Sequence, residues 1–144
     1  MSVKSAVLVA VQVAAIGGLV FTGPIFPQPW ILQVLVVAGF AIIVSSLFML
    51  RPRNLNVAPE VRSGGELITN GPYRFVRHPV YSGGVLVCLT WVIGDFTWLR
   101  LGALAILLVD LAIKIPYEEK FLLEAFSDYD QYRQRTKKLV PFLF

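Results

Sequence analysis

Two stretches of this chain gather side chains that can do chemistry. The denser is Thr69-Asn70-Gly71-Pro72-Tyr73-Arg74-Phe75-Val76-Arg77-His78-Pro79-Val80-Tyr81-Ser82-Gly83-Gly84. It brings two arginines, two tyrosines and the one histidine of the chain to a turn. Pro79 suits the first position of a helix, where its missing N–H would have no partner anyway. A helix start presents free N–H groups and a partial positive charge, which suit a ligand's carboxylate or phosphate. Gly83-Gly84 would let another backbone or a flat ligand come close. The competing reading is a basic turn resting on lipid headgroups, with an interfacial tyrosine.

The second stretch is Lys114-Ile115-Pro116-Tyr117-Glu118-Glu119. Pro116 is expected to bend or end a helix there. That would turn Glu118 and Glu119 toward the interface, where a carboxylate can accept from ribose hydroxyls or offset a cation. The competing reading is a solvated acidic pair favoured by a helix dipole. Asp110 stands one turn before Lys114, and an i,i+4 ion pair would ease the burial of both. No metal site is expected, because one His and one Cys offer no set of soft ligands. Cys88, in an apolar stretch, reads as a packed thiol.

The elements that must position these residues are apolar. No Asp, Glu, Lys or Arg occurs from Ser5 through Leu50, a run of 46 residues, and only 15% of the chain is charged. Soluble domains carry about 25%, and a bilayer crossing needs about 20 apolar residues. The pattern excludes a soluble globular domain, a disordered chain and a conventional nucleic-acid binder. It predicts an all-α polytopic membrane protein: four transmembrane helices plus an amphipathic cytoplasmic C-terminal helical tail. The expected spans are about 4–22, 30–50, 79–95 and 98–116, in one integral membrane domain over 1–144. Arg51-Pro52-Arg53 closes the second span, residues 52–78 form a cytoplasmic loop, and residues 117–144 form the tail. Gly17-Gly18 would allow close helix approach in the first span. In the tail, Leu122, Ala125, Phe126, Tyr129 and Tyr132 keep helical spacing, and Ser127-Asp128 is a candidate second N-cap. The first apolar run leads into a Gly-Pro turn without a clear cleavage site, so a cleaved signal peptide is not expected.

Charge sets the expected orientation. Of 13 Lys and Arg, 12 fall on one side of this four-span arrangement, and Arg100 alone falls near the other. The positive-inside rule then places both termini and the long loop in the cytoplasm.

The two constellations, in this order, resemble the isoprenylcysteine carboxyl methyltransferase family, itself similar to membrane phospholipid methyltransferases. The matching residues are Gly71-Pro72-Tyr73, then Arg77-His78-Pro79-Val80-Tyr81-Ser82-Gly83. Glu118-Glu119 follow about forty residues later, then Leu122, Phe126, Tyr129, Tyr132 and Leu139-Val140-Pro141-Phe142. The similarity covers about residues 64–144. Arg-His-Pro-x-Tyr alone is weak, since some membrane sterol reductases look similar there; the ordered set with Glu-Glu and the tyrosine-bearing tail is more specific.

The resemblance implies S-adenosylmethionine as methyl donor at the cytoplasmic face, and a lipophilic small-molecule acceptor that enters from the membrane lipid. By position it implies that His78, Pro79, Val80, Tyr81 and Gly83 contact the cofactor, and that Glu118 or Glu119 holds its ribose or amino end. Arg77, Arg74 or Lys114 would orient a carboxylate acceptor. For an amine acceptor, Asp110 or Glu118 would serve instead. Ser127 stands where the family often has Gly. Lys114 stands where an arginine is often found, and Lys is not equivalent for bidentate carboxylate binding. The chain also has fewer predicted spans than better-known members, so a second copy, as a homodimer, could supply acceptor-binding elements. The rival functions are a non-enzymatic membrane scaffold or assembly protein and a nicotinamide-dependent membrane reductase. The reductase would need a phosphate clamp, for which Arg74 and Arg77 are the candidates.

Overall fold

The computed structural model describes residues 2–50 and 65–141. Arg51-Pro52-Arg53, the loop as far as Gly64, and Phe142 of the tail motif lie outside the described residues. The elements are α1 (Val3–Phe21), α2 (Trp30–Met49), a one-turn 3-10 helix (Gly71–Arg74), α3 (Pro79–Gly94), α4 (Trp98–Ala125) and α5 (Tyr129–Arg135). Among the described residues no β-strand forms. One parallel bridge joins Val76 to Lys137.

Local chemistry sets the ends of the helices. Ser2 caps α1 by accepting from the Ser5 N–H, and Thr97 caps α4 by accepting from the Arg100 N–H at 3.1 Å. Pro79 opens α3 at its first position. Gly71 takes φ +59, a conformation in which a side chain would be strained, and so turns the chain into the 3-10 helix.

α1 and α2 are long and apolar enough to cross a membrane. Both are mostly exposed, with Val7, Val13, Val34, Val37 and Val44 on open faces. Such surface is costly in water and ordinary in lipid. α3 is shorter, at 16 residues, or about 24 Å of rise. α4 holds three charged residues within its apolar length, Arg100, Asp110 and Lys114. Exposed Phe21, Phe26, Trp30, Phe96 and Trp98 gather where α1 and α3 end and α2 and α4 begin, the placement of an interfacial aromatic belt.

α2 packs chiefly on α3, and α1 on α4. The shared core takes Leu19 from α1, Val36 from α2 and Trp91 from α3, and Leu104, Leu107, Leu111 and Ile115 from α4. The last four recur every three or four residues, one face of a helix.

Three expectations change. Pro116 does not end the fourth helix: α4 runs through it for 28 residues. The proline costs one backbone hydrogen bond, but Lys114, Ile115 and Glu119 are buried on either side of it and hold the helix in register. Residues 117–125 are therefore the last turns of α4, and the separate tail helix is α5 alone. Its break does fall at Ser127-Asp128, although no Asp128 side-chain cap forms. The tightest helix approach is at Gly39 and Gly83 rather than at Gly17-Gly18, where a Cβ on Gly18 would make only ordinary contact with the Ala103 Cβ of α4, at 3.9 Å. A Cβ on Gly83 would lie 2.6 Å from the Gly39 carbonyl oxygen, whereas one on Gly17 would meet nothing within 4 Å among the described residues. Finally, Asp110 and Lys114 form no ion pair. The Lys114 amine donates to Gln12 Oε1 of α1 at 2.6 Å, and neither Asp110 carboxylate oxygen has a hydrogen-bond partner among the described residues.

Candidate functional site at the start of α3

The turn before α3 is held by the tail. The Arg77 and His78 N–H groups donate to the Lys137 and Lys138 carbonyls at 2.8 and 3.1 Å. Ser82 Oγ donates to the Leu139 carbonyl at 2.6 Å. Tyr132 Oη donates to the Tyr73 carbonyl at 2.6 Å, and Thr136 Oγ1 donates to the Tyr132 carbonyl at 2.7 Å. A segment about sixty residues away thus satisfies backbone groups that a buried turn could not leave open.

On this frame sits a cluster of ionisable side chains. Tyr81 Oη donates to Glu118 Oε1 at 2.6 Å. His78 lies between the acids, with Nδ1 3.5 Å from Glu118 Oε2 and Nε2 3.4 Å from Glu119 Oε1. The His78 and Tyr81 rings stack at 5.6 Å. Arg77 Nε donates to Glu119 Oε1 at 2.7 Å, and its Nη1 donates to the carbonyls of Arg133 and Thr136. Two residues of α3's first turn region and two consecutive acids late in α4 therefore meet, as helix geometry allows when α4 outreaches its neighbours by several turns.

The two acids are tuned in opposite directions. Burial pushes Glu118 up, against the pull of His78, the Tyr81 hydrogen bond and Lys114. Burial pushes Glu119 up as well, but hydrogen bonds from His78 and Arg77, with their charge, outweigh it and bring the carboxyl down to about 2. Burial, with the Glu118 charge, raises the Tyr73 phenol to about 12. Side-by-side acids pushed apart in this way are a mark of a working site as well as of structural networks.

The sequence-derived residues divide by place. His78, Tyr81, Glu118 and Glu119 come together. Pro79 is buried beneath them at the helix start, and Val80 is half-buried beside it. Gly83 lies on the opposite face, filled by α2. Gly84 opens on space, since a Cβ there would meet nothing within 4 Å among the described residues. Arg77 ties the acids to the tail. Lys114 is buried 5.3 Å from the Tyr81 ring centroid, with its amine on Gln12. Gln12 was not singled out from the sequence, where its apolar run looked empty of chemistry. A polar residue in mid-span was the available signal. The parts of Ser82 and Thr136 in fixing the tail carried no sequence signal, because a hydroxyl's partner is set by tertiary contact. Among the described residues no cluster of His, Cys, Asp and Glu is placed to hold a metal ion.

The donor set fits S-adenosylmethionine. Two carboxylates can accept from ribose hydroxyls or an ammonium. The start of a 16-residue helix can take a carboxylate, and the open side at Gly84 leaves room for a flat ring.

Comparison with known proteins finds methyltransferases among those similar to this chain. A probable protein-S-isoprenylcysteine O-methyltransferase of Oryza sativa subsp. indica is 39% identical over 84 residues, 54% of this chain and 42% of that protein. Methanethiol S-methyltransferase 1 of Bradyrhizobium diazoefficiens is 35% identical over 71 residues, 49% of this chain and 24% of that protein. A methanethiol S-methyltransferase of Crocosphaera subtropica is 28% identical over 129 residues, 89% of this chain and 49% of that protein. The chain thus spans less than half the length of these relatives. The phospholipid methyltransferase family model matches residues 27–129, from before α2 through the Glu118-Glu119 pair. With that match over most of its length, the chain belongs to the phospholipid methyltransferase family.

Proposed function

We propose that this chain is an S-adenosylmethionine-dependent methyltransferase of the membrane interface, acting on a lipophilic, isoprenoid- or lipid-like acceptor. In this reading α1 to α4 all cross the bilayer, and the termini and the His78 cluster lie on the cytoplasmic side. The observation that carries it is the meeting of His78 and Tyr81 with Glu118 and Glu119 at the start of α3. The names of the relatives support the same chemistry.

When bound, S-adenosylmethionine supplies a methyl group on a sulfonium. Glu118 and Glu119 would hold its hydroxyl or amino groups, with His78 and Tyr81 beside them and the N–H groups of α3 facing its carboxylate. Methyl transfer needs alignment and exclusion of water more than acid–base help. Burial of the cluster between α3, α4 and the tail supplies both.

Isothermal titration of the purified protein with S-adenosylmethionine tests this. Saturable binding is expected, with none for NADPH. Tyr81→Ala and Glu119→Ala are each expected to weaken it about 10-fold or more while the protein stays folded. Absence of heat with the wild-type chain would sink the reading, and unchanged affinity in both variants would sink the site.

A further inference from the structure

Lys114 stands one helical turn from an acid on either side, Asp110 and Glu118. It is 2% exposed, and a buried ammonium ordinarily takes a carboxylate within reach. Here it donates instead to the neutral amide oxygen of Gln12, on α1, at 2.6 Å. Its Nζ stands 5.3 Å from the Tyr81 ring centroid. Both Asp110 oxygens lack a hydrogen-bond partner among the described residues. Glu118 meets Tyr81 and His78.

Gln12 can reach the ammonium because α1 is fixed along α4 toward both of its ends. At its start, Ser2 Oγ and Tyr117 Oη share a hydrogen bond of 3.3 Å, and Lys4 Nζ stands 4.3 Å from the Tyr117 ring centroid. Toward its other end, the Leu19 carbonyl accepts from Arg100 at 3.2 Å. These contacts set the register of the two helices, and Gln12 falls between them, half-buried. An amide in mid-span is costly unless it is hydrogen-bonded, and such residues face the bundle interior. The family match begins at residue 27, so Gln12 lies outside it.

A neutral anchor does what neither acid could. It holds the ammonium without consuming a carboxylate. Lysine is a point charge on a flexible four-carbon stem. Released from Gln12, it would swing to an acid one turn away. Toward Asp110 it would leave the Tyr81 ring. Toward Glu118 it would compete for the carboxylate that accepts from Tyr81.

Resting on the methyltransferase reading, we infer that Gln12 is a positioning residue. It anchors the Lys114 ammonium beside the Tyr81 ring and out of an ion pair with Glu118, and so keeps Glu118 for Tyr81 and the cofactor. Gln12 acts through Lys114 and touches neither cofactor nor acceptor in this role.

The test titrates the full chain in phosphatidylcholine nanodiscs with S-adenosylmethionine. Gln12→Leu is expected to weaken binding about 10-fold, the scale of one hydrogen bond to a charged group. Gln12→Glu keeps an acceptor oxygen at the same reach and should stay within about 2-fold of the wild type. Gln12→Asn, polar but one methylene short, should behave as Gln12→Leu does, and it carries the test if Gln12→Leu does not fold. The decisive arm is a double-mutant cycle. In a Lys114→Met background, Gln12→Leu should change affinity by less than about 2-fold, because the ammonium it restrains is gone. A merely structural amide would weaken binding equally in both backgrounds.

Wild-type affinity in Gln12→Leu and Gln12→Asn, loss in Gln12→Glu as large as in Gln12→Leu, or an undiminished loss in the Lys114→Met background overturns the inference. If those outcomes occur while Tyr81→Ala and Glu119→Ala still weaken binding, the methyltransferase reading stands and this one falls. Failure of the wild type to bind S-adenosylmethionine removes both.

Discussion

The two ends of the helical bundle both bury charge, and they use it differently. At the end where α1 stops and α4 begins, Arg100 is 1% exposed. Its guanidinium donates to the Asp95 carbonyl and carboxylate at 3.1 Å and to the Leu19 carbonyl at 3.2 Å. Nearby, Trp91 Nε1 donates to the Ile25 carbonyl at 2.7 Å. Most of these acceptors are backbone, and the one carboxylate is substantially exposed. At the other end, His78, Tyr81, Glu118 and Glu119 contact one another through side chains that can change charge or partner. Donors spent on main-chain carbonyls stitch turns together. Ionisable groups facing one another at a helix start remain available to a ligand.

The largest effect expected from this contrast lies at Arg100. Arg100→Ala leaves the Leu19 carbonyl without its donor and a hole where a long side chain was. It should cost about 2–4 kcal/mol, read as a fall in melting temperature, while the folded fraction binds S-adenosylmethionine as tightly as the wild type. Gly23→Ala should act the same way, because a Cβ there collides with Arg100 Nη1. Cofactor affinity lost at Arg100 with stability intact would break the distinction between the two ends.

Arg100 also shows what the sequence allowed. The boundaries of α1, α2 and α3 were legible because apolar runs end in Gly, Pro and charge. The meeting of His78-Tyr81 with Glu118-Glu119 was anticipated through family resemblance. Partner choice was not legible. Asp110 and Lys114 have the spacing of an ion pair, but helix spacing only makes such a pair available. α1 offered Lys114 an amide at 2.6 Å, and the pair did not form. Pro116 read as a bend or a stop because propensity is local, and with burial on both sides of it the helix does not stop there. Arg100 looked like a stray charge on the wrong side, when its role depended on a carbonyl 81 residues away.

A smaller effect should separate the ends by pH. Glu119 has a folded pKa of about 2 against an ordinary 4.5. Below 4.5 the unfolded chain binds more protons than the folded one, so this carboxylate's contribution is lost as pH falls from 4.5 toward 2. Glu118 is raised, so its sign is opposite: its contribution is complete below 4.5 and declines as pH rises above it. Glu119→Gln should flatten the acid limb of a stability profile and cost about 2 kcal/mol at neutral pH, since Arg77 keeps its carbonyls but loses its anion. An unchanged acid limb in Glu119→Gln would show that the Arg77–Glu119 contact is not what holds the tail.

The smallest effects come from the glycine pair, where one residue belongs to the scaffold and its neighbour faces the site side. Gly83→Ala would press a Cβ to 2.6 Å from the Gly39 carbonyl oxygen and 2.8 Å from Ile43 Cγ1. Backbone on backbone cannot yield locally, so α2 and α3 must separate, at about 1–2 kcal/mol. Gly84→Ala meets nothing among the described residues, and alanine is the better helix former by up to about 1 kcal/mol. It should leave stability unchanged or slightly raised. Its effect on binding then carries the information. If the open side at Gly84 receives the flat part of the cofactor, the added methyl weakens S-adenosylmethionine several-fold in a protein that melts no lower than the wild type. Equal affinity would place the ligand elsewhere on the cluster and leave Gly84 as surface toward lipid.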